Sequence, residues 1–171
     1  MAWRVSKLKI VIIAGCSQKK LNHAAPTIEL NQGQLFRSIK KLAQSHDFDL
    51  KILSGKHGLL DSHQIINPYN QEIKTKKDIL RVRRIITSRL IEIHKDYDLI
   101  IVILGKKYLE VIEPLIDNKF LILYDKRGIG GYLSLLSRYN KLPKNQLLKE
   151  LEKFRFGKYE SEIYQKERIE V

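Results

Sequence analysis

Four short apolar runs constrain this chain more than any other feature: Leu8 to Ala14, Asp49 to Leu53, Leu99 to Leu104 and Phe120 to Tyr124. They are rich in Ile, Leu and Val and do not alternate with polar residues. A strand with one wet face alternates; a strand covered on both faces does not, and such strands belong to parallel sheets sandwiched by helices. Helical spacing fills the intervals. Gln34 to Ser45 puts Leu35, Ile39, Leu42 and Ala43 on one face, and Thr75 to Lys95 does the same with Ile79, Val82, Ile86, Leu90 and Ile93. A shorter helix is expected over Lys106 to Ile116 and a late one over Asn145 to Phe154, after Pro143. This alternation implies an α/β fold, three-layered and Rossmann-like, with a mostly parallel sheet of about four to five strands.

At 171 residues and 43% hydrophobic content, the chain suits one domain with a real core. That domain is expected over residues 1–157. A charged tail comes after it at 158–171, with Ile163, Tyr164, Ile169 and Val171 as its apolar anchors. No run is long enough to span a bilayer, and no cleavage pattern follows the basic N-terminus. One cysteine, Cys16, excludes an intramolecular disulfide. A cytoplasmic protein without membrane partners is the expectation. Oligomeric state is not legible.

Net charge is +13, from 32 Lys plus Arg against 19 Asp plus Glu. Such an excess attracts phosphate-rich partners, so a nucleic acid or nucleotide is the expected partner; a solvated lysine-rich surface is the plainer alternative. The helix from Thr75 carries Arg81, Arg83 and Arg84, the candidate nucleic-acid contacts.

Ligands of open parallel sheets sit beyond the carboxyl ends of the strands. Here those ends run into polar, glycine-bearing sequence: Gly15 to Lys20, Ser54 to Gly58, Gly105 to Tyr108, and Asp125 to Gly131. Glycines allow close backbone approach, and N–H groups with lysines hold anions. Candidate ligand-binding residues are Gly15, Ser17, Lys19, Ser54, Lys56, Tyr69, Asp125 and Arg127. The glycines match neither GxxxxGK[ST] nor a first-turn GxGxxG, so no ATPase and no nicotinamide enzyme is expected. Cys16 is the candidate nucleophile and His57 its base; a buried structural cysteine is the competing reading. The histidines lack metal-ligand spacing, so neither metal nor cofactor is expected. In the long loop Asp61 to Thr75, Tyr69 either stacks on a base or plugs the loop onto the core.

The motifs Gly15 to Lys20 (GCSQKK), Leu35-Phe36-Arg37, Ile52 to Leu60 (ILSGKHGLL), Pro68-Tyr69 and Gly128-Ile129-Gly130 resemble an uncharacterised, YaaA-like domain family labelled as peroxide-stress proteins. The resemblance covers most of the chain up to about Tyr139. It implies an α/β fold and a link to DNA or nucleobase metabolism, and through it a stress response. A more distant likeness is to the Cys-Ser loop of a domain in archaeosine synthases, which modify a deazaguanine base in tRNA. Three positions depart from the pattern: Asn31 stands in place of a tyrosine, Gly55 of an alanine and Asn70 of an aspartate. If that aspartate is an acid–base group in relatives, this chain binds without catalysing. The expected function is a nucleobase- or nucleotide-processing enzyme, with DNA or tRNA base modification or repair within its scope. A non-catalytic, basic nucleic-acid-binding protein is the alternative, and a subunit docking an acidic protein is a third reading.

Overall fold

β1 (Ile10–Gly15) lies at the centre of a five-stranded sheet and explains why the apolar runs are unpatterned. Its neighbours are β3 (Asp49–Ser54) and β6 (Leu99–Ile103), both parallel to it, and β7 (Phe120–Ile122) runs parallel to β6. The fifth strand, β4 (Gly58–Asp61), pairs antiparallel with β3, giving the order β4-β3-β1-β6-β7. This computed structural model describes residues 7–156. The charged tail expected at 158–171 lies outside the described residues, as do the first residues of the basic N-terminus.

Successive side chains of a strand point to opposite faces, and β1 feeds two cores in turn. Ile10, Ile12 and Ala14 join one core with α2 (Gln34–His46), α5 (Ile129–Tyr139) and α6 (Lys144–Leu151), through Phe36, Ile39, Leu42, Leu136, Tyr139 and Leu147. Val11 and Ile13 join the other with α3 (Lys76–Asp96) and α4 (Lys106–Ile112), through Val82, Ile86, Leu90, Val111 and Ile112. The one-turn helix α1 (Thr27–Leu30) and a small ladder, β2 (Ala25–Pro26) with β5 (Ile65–Ile66), complete the fold. No helix among the described residues is long and apolar enough to cross a membrane.

The parallel arrangement of the four apolar runs agrees with the sequence reading; several boundaries do not, and five elements are absent from it, the short α1, β2 and β5 together with β4 and α5. Thr75 caps α3 rather than opening it: its hydroxyl accepts from Asp78 N, and the Asp78 carboxylate accepts from Thr75 N. The helix expected to reach Ile116 stops at Ile112 and continues as a 3-10 turn over Glu113–Leu115, because Pro114 cannot continue an α-helix. The late helix ends at Leu151, and Glu152–Phe154 is again 3-10. Helix α5 is absent from the sequence reading, since Gly128, Gly130 and Gly131 look like loop and yet form its first turn and cap. Strand β4 is absent from it too, and the sequence between Ser54 and Gly58 is therefore a hairpin turn. Part of the long loop is tied down as well: Thr27 N and Oγ1 both donate to Gln64 O at 2.9 Å.

Candidate functional site

Because β1, β3, β6 and β7 are parallel, their carboxyl ends share one edge. Pairing of Gly15 with Leu53 puts Cys16 beside the end of β3, and Cys16 N donates to Leu53 O at 3.1 Å. Ser54, fully buried, ends β3 and shapes the turn into β4: its Oγ accepts from Lys56 N at 3.2 Å and His57 N at 3.0 Å. From the far side, α4 brings Tyr108, whose Oη lies 3.7 Å from Cys16 Sγ. Tyr69 enters from the long loop, and its Oη is buried without a hydrogen-bond partner. Burial first, and then the neighbouring Cys16, push the Tyr69 phenol far above its ordinary range, and the Tyr108 phenol rises for the same reasons. Both phenols therefore stay protonated across physiological pH. The result is a thiol flanked by two neutral phenols, and the Tyr69 hydroxyl, beside Cys16 and Ser54, makes no well-formed hydrogen bond.

Cys16 and His57 do meet in one neighbourhood, but not as a dyad. Among the described residues no hydrogen bond joins them. His57 is exposed and packs edge-on against Tyr69, with ring centroids 5.0 Å apart at 87°. Its pKa falls below the usual 6.5, through partial burial and then through the charge on Lys56, which favours the neutral ring. The opposite contact on Tyr69 is Lys20, whose Nζ sits 4.5 Å from the ring centroid and donates to Ser17 O. Tyr69 is thus the plug of the loop, packed on the core with its ring already engaged. Its hydroxyl, rather than its face, is what remains for a ligand.

The first loop is held by a residue the sequence presented only as a departure. Buried Asn31 accepts from Ser17 N at 2.9 Å and Ser17 Oγ at 3.3 Å, while its Nδ2 donates to Thr27 O at 2.9 Å. Ser17 also donates to Lys19 O and accepts from Gly33 N, so its hydroxyl is spent inside the loop. Lys19 and Lys56 are exposed at the rim. Gly15 is not sterically demanded, since an added Cβ would make only an ordinary contact with Leu104 at 3.8 Å. Gly55 is demanded: a Cβ there would lie 2.6 Å from Gln71 O, so the backbone leading out of Tyr69 passes directly over it.

Asp125 and Arg127 close on each other instead of on Cys16. Arg127 Nη2 donates to Asp125 Oδ2 at 2.7 Å, and Arg127 N donates to Asp125 Oδ1 at 2.8 Å. These bonds hold the Asp125 carboxyl down at about 2. Its carboxylate lies against the start of α5, where a Cβ on Gly131 would come within 2.3 Å of Oδ1. The anion-holding end of α5 is therefore already occupied by the chain's own carboxylate. No hydrogen bond or ion pair among the described residues connects this pair to the Cys16 cluster.

The arginines of α3 divide between tasks. Arg81 Nη2 donates to Gly55 O at 2.6 Å, bracing the turn that carries His57. Arg83 donates to Val111 O at 3.0 Å and Glu110 O at 2.6 Å at the end of α4. Of the trio, Arg84 is exposed and the other two are half-buried. Arg81 and Arg83 thus each spend guanidinium donors on backbone carbonyls of other elements. Tyr108 is the contributor that sequence reasoning passed over. It stood in a strand-end segment, but an aromatic ring at a helix start reads as core. Among the described residues no three His, Cys, Asp or Glu side chains gather as a metal would require.

The model of one protein family, described as a family of unknown function (DUF6884), matches residues 10–138, a stretch from β1 to α5 that includes every residue of this cluster. No curated protein matches the chain.

Proposed function

The chain belongs to that family of unknown function, which assigns no activity, and from the site itself we propose an enzyme that processes a nucleobase or nucleotide, free or within nucleic acid. The observation that carries this reading is the Cys16–Tyr69–Tyr108 cluster at the carboxyl edge, with a buried Tyr69 hydroxyl lacking a partner. A buried donor without an acceptor costs stability, and a ligand acceptor removes that cost. Protonated phenols suit the carbonyl oxygen or ring nitrogen of a base, and they strengthen as negative charge develops there. Cys16 supplies the nucleophile, neutral His57 at the rim accepts or returns a proton, and Lys19 and Lys56 attract a phosphate. The same reading takes the fold as three-layered and Rossmann-like, the setting as cytoplasmic, and the YaaA-like resemblance as a sign of related chemistry.

The test pairs stability with chemistry. Calorimetric melting is measured with free bases, nucleosides, nucleotides and short oligonucleotides, followed by turnover assays on whatever binds. Cys16→Ser and His57→Ala are expected to abolish turnover while leaving the melting temperature nearly unchanged. If none of these compounds raises the melting temperature, or both variants keep full activity, the site assignment fails. Net charge of +13 favours a second reading, a non-catalytic nucleic-acid binder. In that case steeply salt-dependent binding survives both substitutions.

A further inference from the structure

The outer face of α3 is a second surface, adjoining the turn that carries His57 but separate from the Cys16 cluster. Leu80, Ile85 and Ile91 are 41%, 48% and 43% exposed, which is unusual for large aliphatics on one helix. Cations are interleaved with them. Lys76, Lys77, Arg81 and Arg84 border a groove of about 710 Å³ together with Leu80 and Ile85, and Lys95 extends the stripe past Ile91. Positions 77, 80, 84, 91 and 95 follow the three- and four-residue spacing of a helix-pairing seam. Among the described residues, the side chains of Lys76, Lys77, Arg84 and Lys95 make no hydrogen bond or ion pair. Lys76 and Lys77 moreover sit in the first turn, where the helix dipole disfavours positive charge. Asp78, whose carboxylate accepts from Lys74 N and Thr75 N, is the carboxylate of that turn, and its oxygens are turned to the backbone rather than to the two lysines.

We propose that this face of α3 docks an acidic amphipathic helix of a partner protein, with aliphatic side chains meeting Leu80 and Ile91 and carboxylates meeting Lys77, Arg84 and Lys95, while Ile85 flanks the seam on the side of Gly58. Charge complementarity selects the occupant. A second copy of this chain would bring the same cations against their like. A nucleic-acid backbone would satisfy the cations but lay hydrated phosphates over the aliphatics, which gain nothing from them.

The probe is a fluorescein-labelled helical peptide as long as α3, with leucine and glutamate on its seam; a lysine-for-glutamate version and a labelled oligothymidine serve as comparisons. Anisotropy is read at physiological ionic strength. The glutamate peptide is expected to bind at least about tenfold more tightly than either comparison. Lys77→Glu with Arg84→Glu is expected to abolish that binding. Leu80→Gln with Ile91→Gln is expected to weaken it about tenfold, because loss of aliphatic contact costs affinity that charge alone does not restore. These positions are solvent-facing, and an unchanged melting temperature confirms that both double variants are folded. Equal binding of all probes, no binding of the glutamate peptide, or tighter oligothymidine binding lost in the charge-reversed variant each overturns the proposal. So does peptide binding that ignores the Leu80 and Ile91 substitutions.

Discussion

Replacing Tyr69 with phenylalanine separates what its ring does from what its hydroxyl does. The ring packs on the core beneath the long loop and touches His57 and Lys20, contacts that phenylalanine preserves. The hydroxyl is buried and has no partner. Leaving a buried polar group unpaired costs about 1–3 kcal/mol, and removing the group recovers some of it. Ser54 and Cys16 adjoin the phenol, so recovery belongs at the lower end, about 1 kcal/mol. In a chain of this size that raises the melting temperature by roughly 2–4 °C. Tyr139→Phe is the control, since Tyr139 Oη is also buried without a well-formed hydrogen bond but belongs to α5, where Arg138 adjoins it. It should gain a similar amount. The two variants part at the ligand: Tyr69→Phe loses one donor to it and weakens binding roughly two- to tenfold, whereas Tyr139→Phe leaves binding unchanged. Calorimetry and titration of the same preparations measure both quantities. A melting temperature that falls in Tyr69→Phe would show the hydroxyl to be bonded within the fold. A gain in stability with unaltered affinity would remove it from the binding site.

Arg81→Ala should lower the melting temperature by roughly 2–12 °C in calorimetry, since it leaves the Gly55 carbonyl unpaired at a cost of about 1–3 kcal/mol; no change would make the Arg81–Gly55 bond incidental. Lys56→Gln removes a charge that depresses His57, so the His57 ring, followed by NMR, should titrate at a higher pH than in the wild type. For Asp125 the native pKa lies below the unfolded value of 3.8, so the Arg127 pair contributes fully above that value and is lost as pH falls through about 2. Arg127→Ala should bring the Asp125 carboxyl resonance back toward ordinary titration, and an unshifted resonance would assign the depression to another group.

The sheet was legible because two-sided burial writes itself into a strand as an unbroken apolar run, and β1 serves both cores. β4 was not, since a short strand after a tight turn lacks room for a pattern of its own. Glycines concealed α5 because they usually mark turns; here Gly131 is needed for the closeness of Asp125 rather than for a bend. Cys16, Ser54 and His57 could be placed together from the adjacency of two strand ends, which order alone suggests. Which atoms face one another could not. The bond between Cys16 and Tyr108 spans 92 positions, and the bond from Arg81 to Gly55 spans 26. The arginines of α3 were legible as charge on a helix, but a guanidinium on a long stem can turn back to a distant carbonyl.

The departures at Asn31 and Asn70 acquire different meanings once placed. Asn31 is a buried clamp whose amide both accepts from Ser17 and donates to Thr27. Its role in this chain is to fix the loop bearing Cys16. Asn70 is exposed and comes directly after Tyr69, whose ring touches His57. A carboxylate at position 70 would counter Lys56, favour the protonated imidazole and lift the His57 pKa. In this chain His57 has no such support and stays neutral, which suits a proton acceptor and weakens a proton donor. Asn70→Asp is a surface change and should alter stability by no more than about 0.5 kcal/mol. The His57 resonances should move to a higher titration midpoint, and the acid limb of any pH–rate profile should move with them. An unmoved midpoint would mean that residue 70 does not act on His57, and that acid–base chemistry in this chain rests on the phenols and the thiol alone.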